Sequence, residues 1–131
     1  MKNVHVAAAI ILNGKKILAA QRGYGEFKGG WEFPGGKVEP RESSFEACIR
    51  EIREELNITL HDPQYLCTVE HDYASFHLSM DCFTCNMPHE SIDDTEHDDV
   101  RWLDIEHIRT VNWLPADVKV VEVLERWLSV V

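Results

Sequence analysis

An apolar run from Val4 to Leu12, interrupted only by His5, ends at the turn pair Asn13-Gly14, and a second run, KILAAQR, spans residues 16–22. Two such runs joined through Asn-Gly predict a β-hairpin. The following tract holds six of the seven glycines, at 23, 25, 29, 30, 35 and 36. It reads as a loop interrupted by a short Trp31-Glu32-Phe33 segment. Ser43 to Leu56 is the clearest helix. Ser43 and Glu46 form a capping box, and Asn57 stands where a left-handed cap is expected. Residues 64–72 and 75–87 predict two strands around a turn near Asp72–Ser75. His89 to Asp99 reads as a polar loop and Val100 to Leu103 as a short strand. Asp104 is expected to cap a helical turn through Ile108. Pro115 to Leu128 predicts a last helix, with proline at its start and apolar residues at 118, 121, 124 and 128. The order β-β-loop-α-β-β-β-α predicts a mixed sheet covered by helices. With no repeat or linker, residues 1–131 are expected to form one domain.

Charge changes this picture. The 131 residues include 23 acidic and 13 basic ones, for a net charge of −10. That disfavours DNA, RNA and anionic membranes, whose binding rests on neutralising phosphate. No apolar run is long enough to span a bilayer, and the apolar start runs into Asn13-Gly14 as a strand would. A cytoplasmic protein is expected. The acid is clustered: seven carboxylates lie between residues 32 and 55 and eight between 90 and 106, which is 15 of the 23. Sites for divalent cations need such clustering, whereas a solvated surface does not.

On a wheel of about 100° per residue, Phe45, Ile49, Ile52 and Leu56 share the side expected to face the core. Glu51, Glu54 and Glu55 share nearly the opposite side, with Arg50 and Arg53 on the flanks. Like charges at these spacings destabilise a helix by roughly 0.2–0.5 kcal/mol per pair. A hard cation with phosphate oxygens would turn that repulsion into a preformed site.

From Gly36 the chain reads GKVEPRESSFEACIREIREELNI. This resembles the Nudix box, G-x5-E-x7-R-E-U-x-E-E-x-G-U with U a bulky aliphatic residue. Gly36, Glu42, Arg50, Glu51, Ile52, Glu54, Glu55 and Ile58 fall on the pattern. Asn57 stands where the family has glycine, and asparagine is the next most tolerant residue there. The box covers 23 of the 131 residues, 36–58. The preceding WEFPGGK is similar to the MutT-like branch of the family, whose members include 8-oxo-dGTP diphosphatases and CTP pyrophosphohydrolases. The resemblance implies an α/β/α sandwich: a mixed sheet, the box helix on one side and the C-terminal helix on the other. It implies metal-dependent hydrolysis of (deoxy)nucleoside triphosphates to a monophosphate and pyrophosphate. Cleaning of the nucleotide pool in support of DNA replication and repair follows, with 8-oxo-dGTP as the leading substrate.

Carried over by position, Glu51, Glu54 and Glu55 hold Mg²⁺ or Mn²⁺ with the Gly35 carbonyl, and Glu51 or Glu54 also activates water. Glu96 is the expected distal ligand, with Asp98 and Asp99 as competitors. Arg22 and Lys37 are expected on the phosphates; Gly36, Glu42 and Arg50 brace the box. At the start of the last helix, Asp117 is expected to read the base, with Val6, Ala8 and Phe76 lining its pocket. Ionised, Asp117 only accepts, which suits an exocyclic amino group, as on cytosine or adenine, or the N–H groups along the edge of an oxidised guanine; the first of these makes CTP or a modified dCTP the second substrate reading. Alternatively, Asp117 simply favours the helix N-terminus. A catalytically silent nucleotide sensor is the third reading, and the intact acidic triplet opposes it.

Other motifs are discounted. Nothing fits a P-loop, and the 23–28 glycines fail the dinucleotide pattern. Cys82 and Cys85 lie in a predicted strand, where positions three apart face opposite ways, so reduced thiols are expected for the four cysteines. Trp113 and Trp127 are expected to pack.

Overall fold

The computed structural model describes residues 1–89, 92 and 97–129. Its elements are β1 (Lys2–Asn13), β2 (Lys16–Arg22), β3 (Trp31–Glu32), β4 (Gly35–Lys37), α1 (Ser44–Leu56), β5 (Gln64–Asp72), β6 (Phe76–Asn86), β7 (His97–Leu103), a 3₁₀ turn (Ile108–Thr110) and α2 (Pro115–Ser129). The strands form one mixed sheet of order β3-β2-β1-β6-β5, with β4 added to β1 and β7 to β2. The central strand β1 runs parallel to β6 from Lys2↔Phe76 to Leu12↔Asn86. Its other edge is shared: β4 takes Val6 to Ala8, and β2 takes Leu12 and Asn13.

The two helices cover opposite faces. Ala8, Ile10 and Leu12 point into a core with Ala116, Val120, Val121 and Leu124 of α2. Ala7, Ala9 and Ile11 point into a second core with Ala47, Cys48, Ile52 and Leu56 of α1. A strand buried on both faces reads as continuous apolar sequence, which is why β1 shows no alternation. Cys82 and Cys85 fall in opposite cores, as their spacing on a strand requires.

The caps of α1 form as expected. Ser43 Oγ accepts from Glu46 N, and Glu46 Oε1 accepts from Ser43 N. Asn57 closes the helix at φ 56° and donates its N–H to Arg53 O. Phe45 departs from expectation: it is 42% exposed, and its ring meets Phe83 edge-on at 5.9 Å. The buried stripe starts from Ala47 and Cys48, whose small side chains let the first turns approach β1 closely. Trp127 is likewise 40% exposed, whereas Trp113 packs on Phe33 at 4.5 Å.

Two strands extend beyond the predicted pattern. Gly35–Lys37 pairs with β1 through backbone alone, leaving no side-chain signal. β7 begins at His97, inside the expected polar loop, because His97 turns inward to Glu32. The helical turn comes later than predicted; Asp104 Oδ1 accepts from His107 N just before it. Among the described residues no helix is long and apolar enough to cross a membrane.

Candidate active site

A cleft of about 820 Å³ opens beside the N-terminal half of β1. One end is lined by Gly35, Gly36, Lys37, Glu51 and Glu55, the other by Phe27, Phe33, Tyr73, Phe76 and Asp117; Arg22 and Glu32 also line it. Val6 and Ala8 form part of the wall. The structure thus brings together Arg22, Gly35, Gly36, Lys37, Glu51, Glu55, Val6, Ala8, Phe76 and Asp117, all anticipated from sequence. Glu54 stands outside the lining with a side chain 61% exposed. Glu96 lies outside the described residues.

The two glycines at the acidic end are there for space. A Cβ on Gly35 would lie 2.0 Å from Ala7 O, so β4 could not pair with β1. A Cβ on Gly36 would lie 2.3 Å from the Glu51 carboxyl carbon. Glu51 therefore rests directly on the Gly36 backbone. Glu55 Oε2 is shut off from solvent beside it.

Arg50 organises the carboxylates. Its Nε and Nη2 donate to the two Glu42 oxygens at 3.1 and 2.6 Å, a bidentate fork. Nη1 donates to Glu51 Oε1 at 2.9 Å and to Glu54 Oε2 at 3.3 Å, and Nη2 also donates to Lys37 O at 3.0 Å. One guanidinium thus ties loop, β4 and helix together. The Arg50 hydrogen bond holds the Glu42 carboxyl below its ordinary range. The wheel reading, in which the acids repel without relief, is corrected here. A helix position on the flank says nothing about where a long side chain ends.

Among the described residues, no three acidic, histidine or cysteine side chains converge as a metal cage. Arg50 Nη1 stands between Glu51 and Glu54 in this arrangement. The donor set nonetheless fits a hard cation. It consists of oxygen atoms, from Glu51, Glu55 and the Gly35 and Gly36 backbone, at a cleft with room for phosphate. Of the two competitors for the distal ligand, Asp99 is turned away: it accepts from Arg101 Nε at 3.3 Å and caps Val100 N. Asp98 reaches toward Gly23, its Oδ1 2.7 Å from where a Cβ would stand.

Arg22 is held in the cleft wall. Nη1 donates to Glu32 Oε1 at 3.1 Å, and the guanidinium sits 4.6 Å from the Tyr24 ring centre. Its Nε is buried with no acceptor among the described residues. Glu32 is also held from behind by His97 Nε2 at 3.2 Å. Glu32, His97, Tyr24, Phe27 and Tyr73 were not anticipated. The only hint was a charged residue, Glu32, between buried Trp31 and Phe33.

At the far end, Phe27, Tyr73 and Phe76 form an aromatic cluster with centroids 5.0 to 6.4 Å apart. Asp117 is 5% exposed, and its Oδ1 accepts from Phe33 N at 3.0 Å. Burial pushes its carboxyl from 3.8 up to about 8, against the pull of that hydrogen bond. Asp117 is therefore a buried residue of the cleft lining, bonded to the Phe33 backbone.

Relatives agree with this geometry. A CTP pyrophosphohydrolase of Escherichia coli is 35% identical over 123 residues, covering 93% of this chain and 91% of its own. An 8-oxo-dGTP diphosphatase of Proteus vulgaris is 38% identical over 84 residues, 63% of this chain and 75% of its own. The solution structure of the E. coli ORF135 protein superposes with a TM-score of 0.85 at 33% identity, over 99% of this chain and 94% of that one. The NUDIX domain family matches residues 1–125. With that match over nearly the whole chain, and with Glu51 and Glu55 of the capped box helix and Gly35-Gly36 of β4 set against one cleft, the chain belongs to the Nudix hydrolase family.

Proposed function

We propose that the protein hydrolyses (deoxy)nucleoside triphosphates to a monophosphate and pyrophosphate, with 8-oxo-dGTP as the leading substrate. The observation that carries this reading is the cleft itself. It pairs an oxygen-rich, glycine-floored end with an aromatic end closed by one buried polar side chain, Asp117. A triphosphate fits the first and a base the second.

Glu51, Glu54, Glu55 and the Gly35 carbonyl would hold Mg²⁺ or Mn²⁺, with Glu96 as the distal ligand and Asp98 as its competitor. Bound divalent ions supply neutralisation of charge developing on the phosphoryl oxygens. The chain's own residues supply position. Arg22 offers its unpartnered Nε to a phosphate oxygen, and Lys37 reaches the same end. Glu51 or Glu54 orients water and takes its proton as oxygen attacks phosphorus, and pyrophosphate leaves. Glu42 and Arg50 keep the loop and helix in register.

Asp117 connects the site to base choice. Protonated, it offers a hydroxyl donor, suited to a guanine O6; ionised, it only accepts, suited to the amino group of cytosine. A carboxyl pushed up to about 8 favours the first at neutral pH. The cytidine reading rests on the E. coli relative's activity. One panel separates them: pyrophosphate release with Mg²⁺ from 8-oxo-dGTP, dGTP, CTP, 5-methyl-dCTP and dATP. Preference for cytidine nucleotides sinks the 8-oxo-dGTP assignment. Turnover of none, or turnover that survives chelation of the metal, sinks the mechanism.

A further inference from the structure

Cys67 and Cys82 stand directly opposite one another on the antiparallel β5–β6 pair. The register slips between Tyr65 and Cys67, a bulge that turns both Leu66 and Cys67 toward the α2-side core. Cys82 is fully buried in that core, and Cys67 is half-buried against it. Their thiols interact across the pair, and Cys82 Sγ also donates to Met80 O at 3.8 Å. Directly opposed residues of an antiparallel pair have Cα atoms about 4.5–5.5 Å apart, within the roughly 4.4–6.8 Å of disulfides. The register thus places the two thiols within reach of one another. The other two thiols, Cys48 on α1 and Cys85 on β6, lie in the opposite core and share no strand register. None of the four lines the cleft.

We propose that Cys67 and Cys82 form a reversible dithiol–disulfide site, oxidised by small-molecule disulfides of the glutathione class. Cys67, the half-buried and more accessible partner, attacks as thiolate; one glutathione leaves, and a mixed disulfide forms on Cys67. Cys82 then gives up its proton and attacks the Cys67 sulfur, expelling the second glutathione. Two protein thiols become one disulfide, and one oxidised glutathione becomes two reduced ones. The Cys82 thiol opposite holds the Cys67 thiol below its ordinary range, and Cys67 is the more accessible of the two, which together favour Cys67 as the attacker. The crosslink closes residues 67–82 into a loop. That loop carries Tyr73 and Phe76 at its tip and Met80 and Leu78 in the cleft wall. Closing it restricts the unfolded chain and stabilises the fold.

The test needs no nucleotide. The full chain is incubated with oxidised glutathione, then denatured, thiol-titrated, weighed and peptide-mapped. Titratable thiols should fall from four to two, the mass should drop by two hydrogens, and the map should join Cys67 to Cys82. Tm should rise by several degrees and return with dithiothreitol. Cys67→Ser, which spares the buried partner, should keep its three remaining thiols and show no Tm rise. Persistence of four thiols, a stable glutathione adduct on Cys67, a Cys48–Cys85 link, or a Cys67–Cys82 link without a Tm rise would each overturn the proposal.

Discussion

Asp117→Asn tests the buried carboxyl directly. In the unfolded chain Asp117 ionises near 3.8, whereas in the fold burial holds its proton until about pH 8. A group whose folded value is raised contributes stability that is fully present below the unfolded value. That stability is lost progressively as pH rises toward the folded value. From pH 3.8 to 7 the fold forgoes about 1.4 kcal/mol per pH unit, an upper bound of about 4 kcal/mol at pH 7. Asparagine has the same shape, its Oδ1 can still accept from Phe33 N, and it does not titrate. The variant should therefore be more stable than the wild type at pH 7 by about 2–4 kcal/mol. The difference should shrink toward zero near pH 4 and level off above pH 8. Urea unfolding at pH 4, 5.5, 7 and 8.5 measures this, and only the difference between the two proteins is read. That cancels the pH dependence of every other group. A constant difference across the series would refute the buried, protonated state. The same variant also reports on the base. The amide nitrogen it introduces can only donate, so any cytidine turnover should fall while turnover of 8-oxo-dGTP survives.

Other expectations follow from the acidic end. Glu55→Gln or Glu54→Gln should lower kcat by orders of magnitude while far-ultraviolet circular dichroism and Tm stay near wild type; a near-normal rate would show that these carboxylates have been misassigned. Arg50→Ala removes the fork on Glu42 and the bonds to Glu51 and Glu54. It should cost about 2 kcal/mol in chemical denaturation, since bonds to charged groups are worth roughly 1.5–3 each and some are half-exposed. Arg50→Lys should recover little, because a point charge cannot span three carboxylates. Gly36→Ala would put a methyl 2.3 Å from the Glu51 carboxyl carbon. It should collapse kcat more than stability, and equal losses in both would argue against the close approach.

The elements that were legible in the sequence are those whose signal is local. The β1–β2 turn rests on Asn13-Gly14, and α1 on Ser43, Glu46 and Asn57, all within a few residues of what they shape. The box also made the acidic end of the cleft readable, because Gly36, Lys37, Glu51 and Glu55 lie on one helix and the short strand before it. What escaped depends on contacts between distant positions. Glu32 meets His97 across 65 residues, so neither marks itself in a window. β4 is made of Gly-Gly-Lys bonded through backbone, and it exists because Gly35 allows the Ala7 carbonyl to approach. Phe45 misled the wheel because the stripe facing β1 was decided by the small Ala47 and Cys48, which periodicity weights least.

Charge shows the same limit. A net charge of −10 with clustered acid draws attention to residues 32–55, but the local interaction differs from the wheel's expectation, because Arg50 relieves it. A helix wheel places each side chain at its Cα azimuth. Arg50 is on the flank there, yet its guanidinium lies some way along a flexible stem and ends among Glu42, Glu51 and Glu54. The triplet is therefore partly neutralised within the chain itself. The fold does not need an ion to tolerate its own acidic helix. Arg50 alone is enough to hold Glu51 and Glu54 beside Glu42 across the helix and the loop.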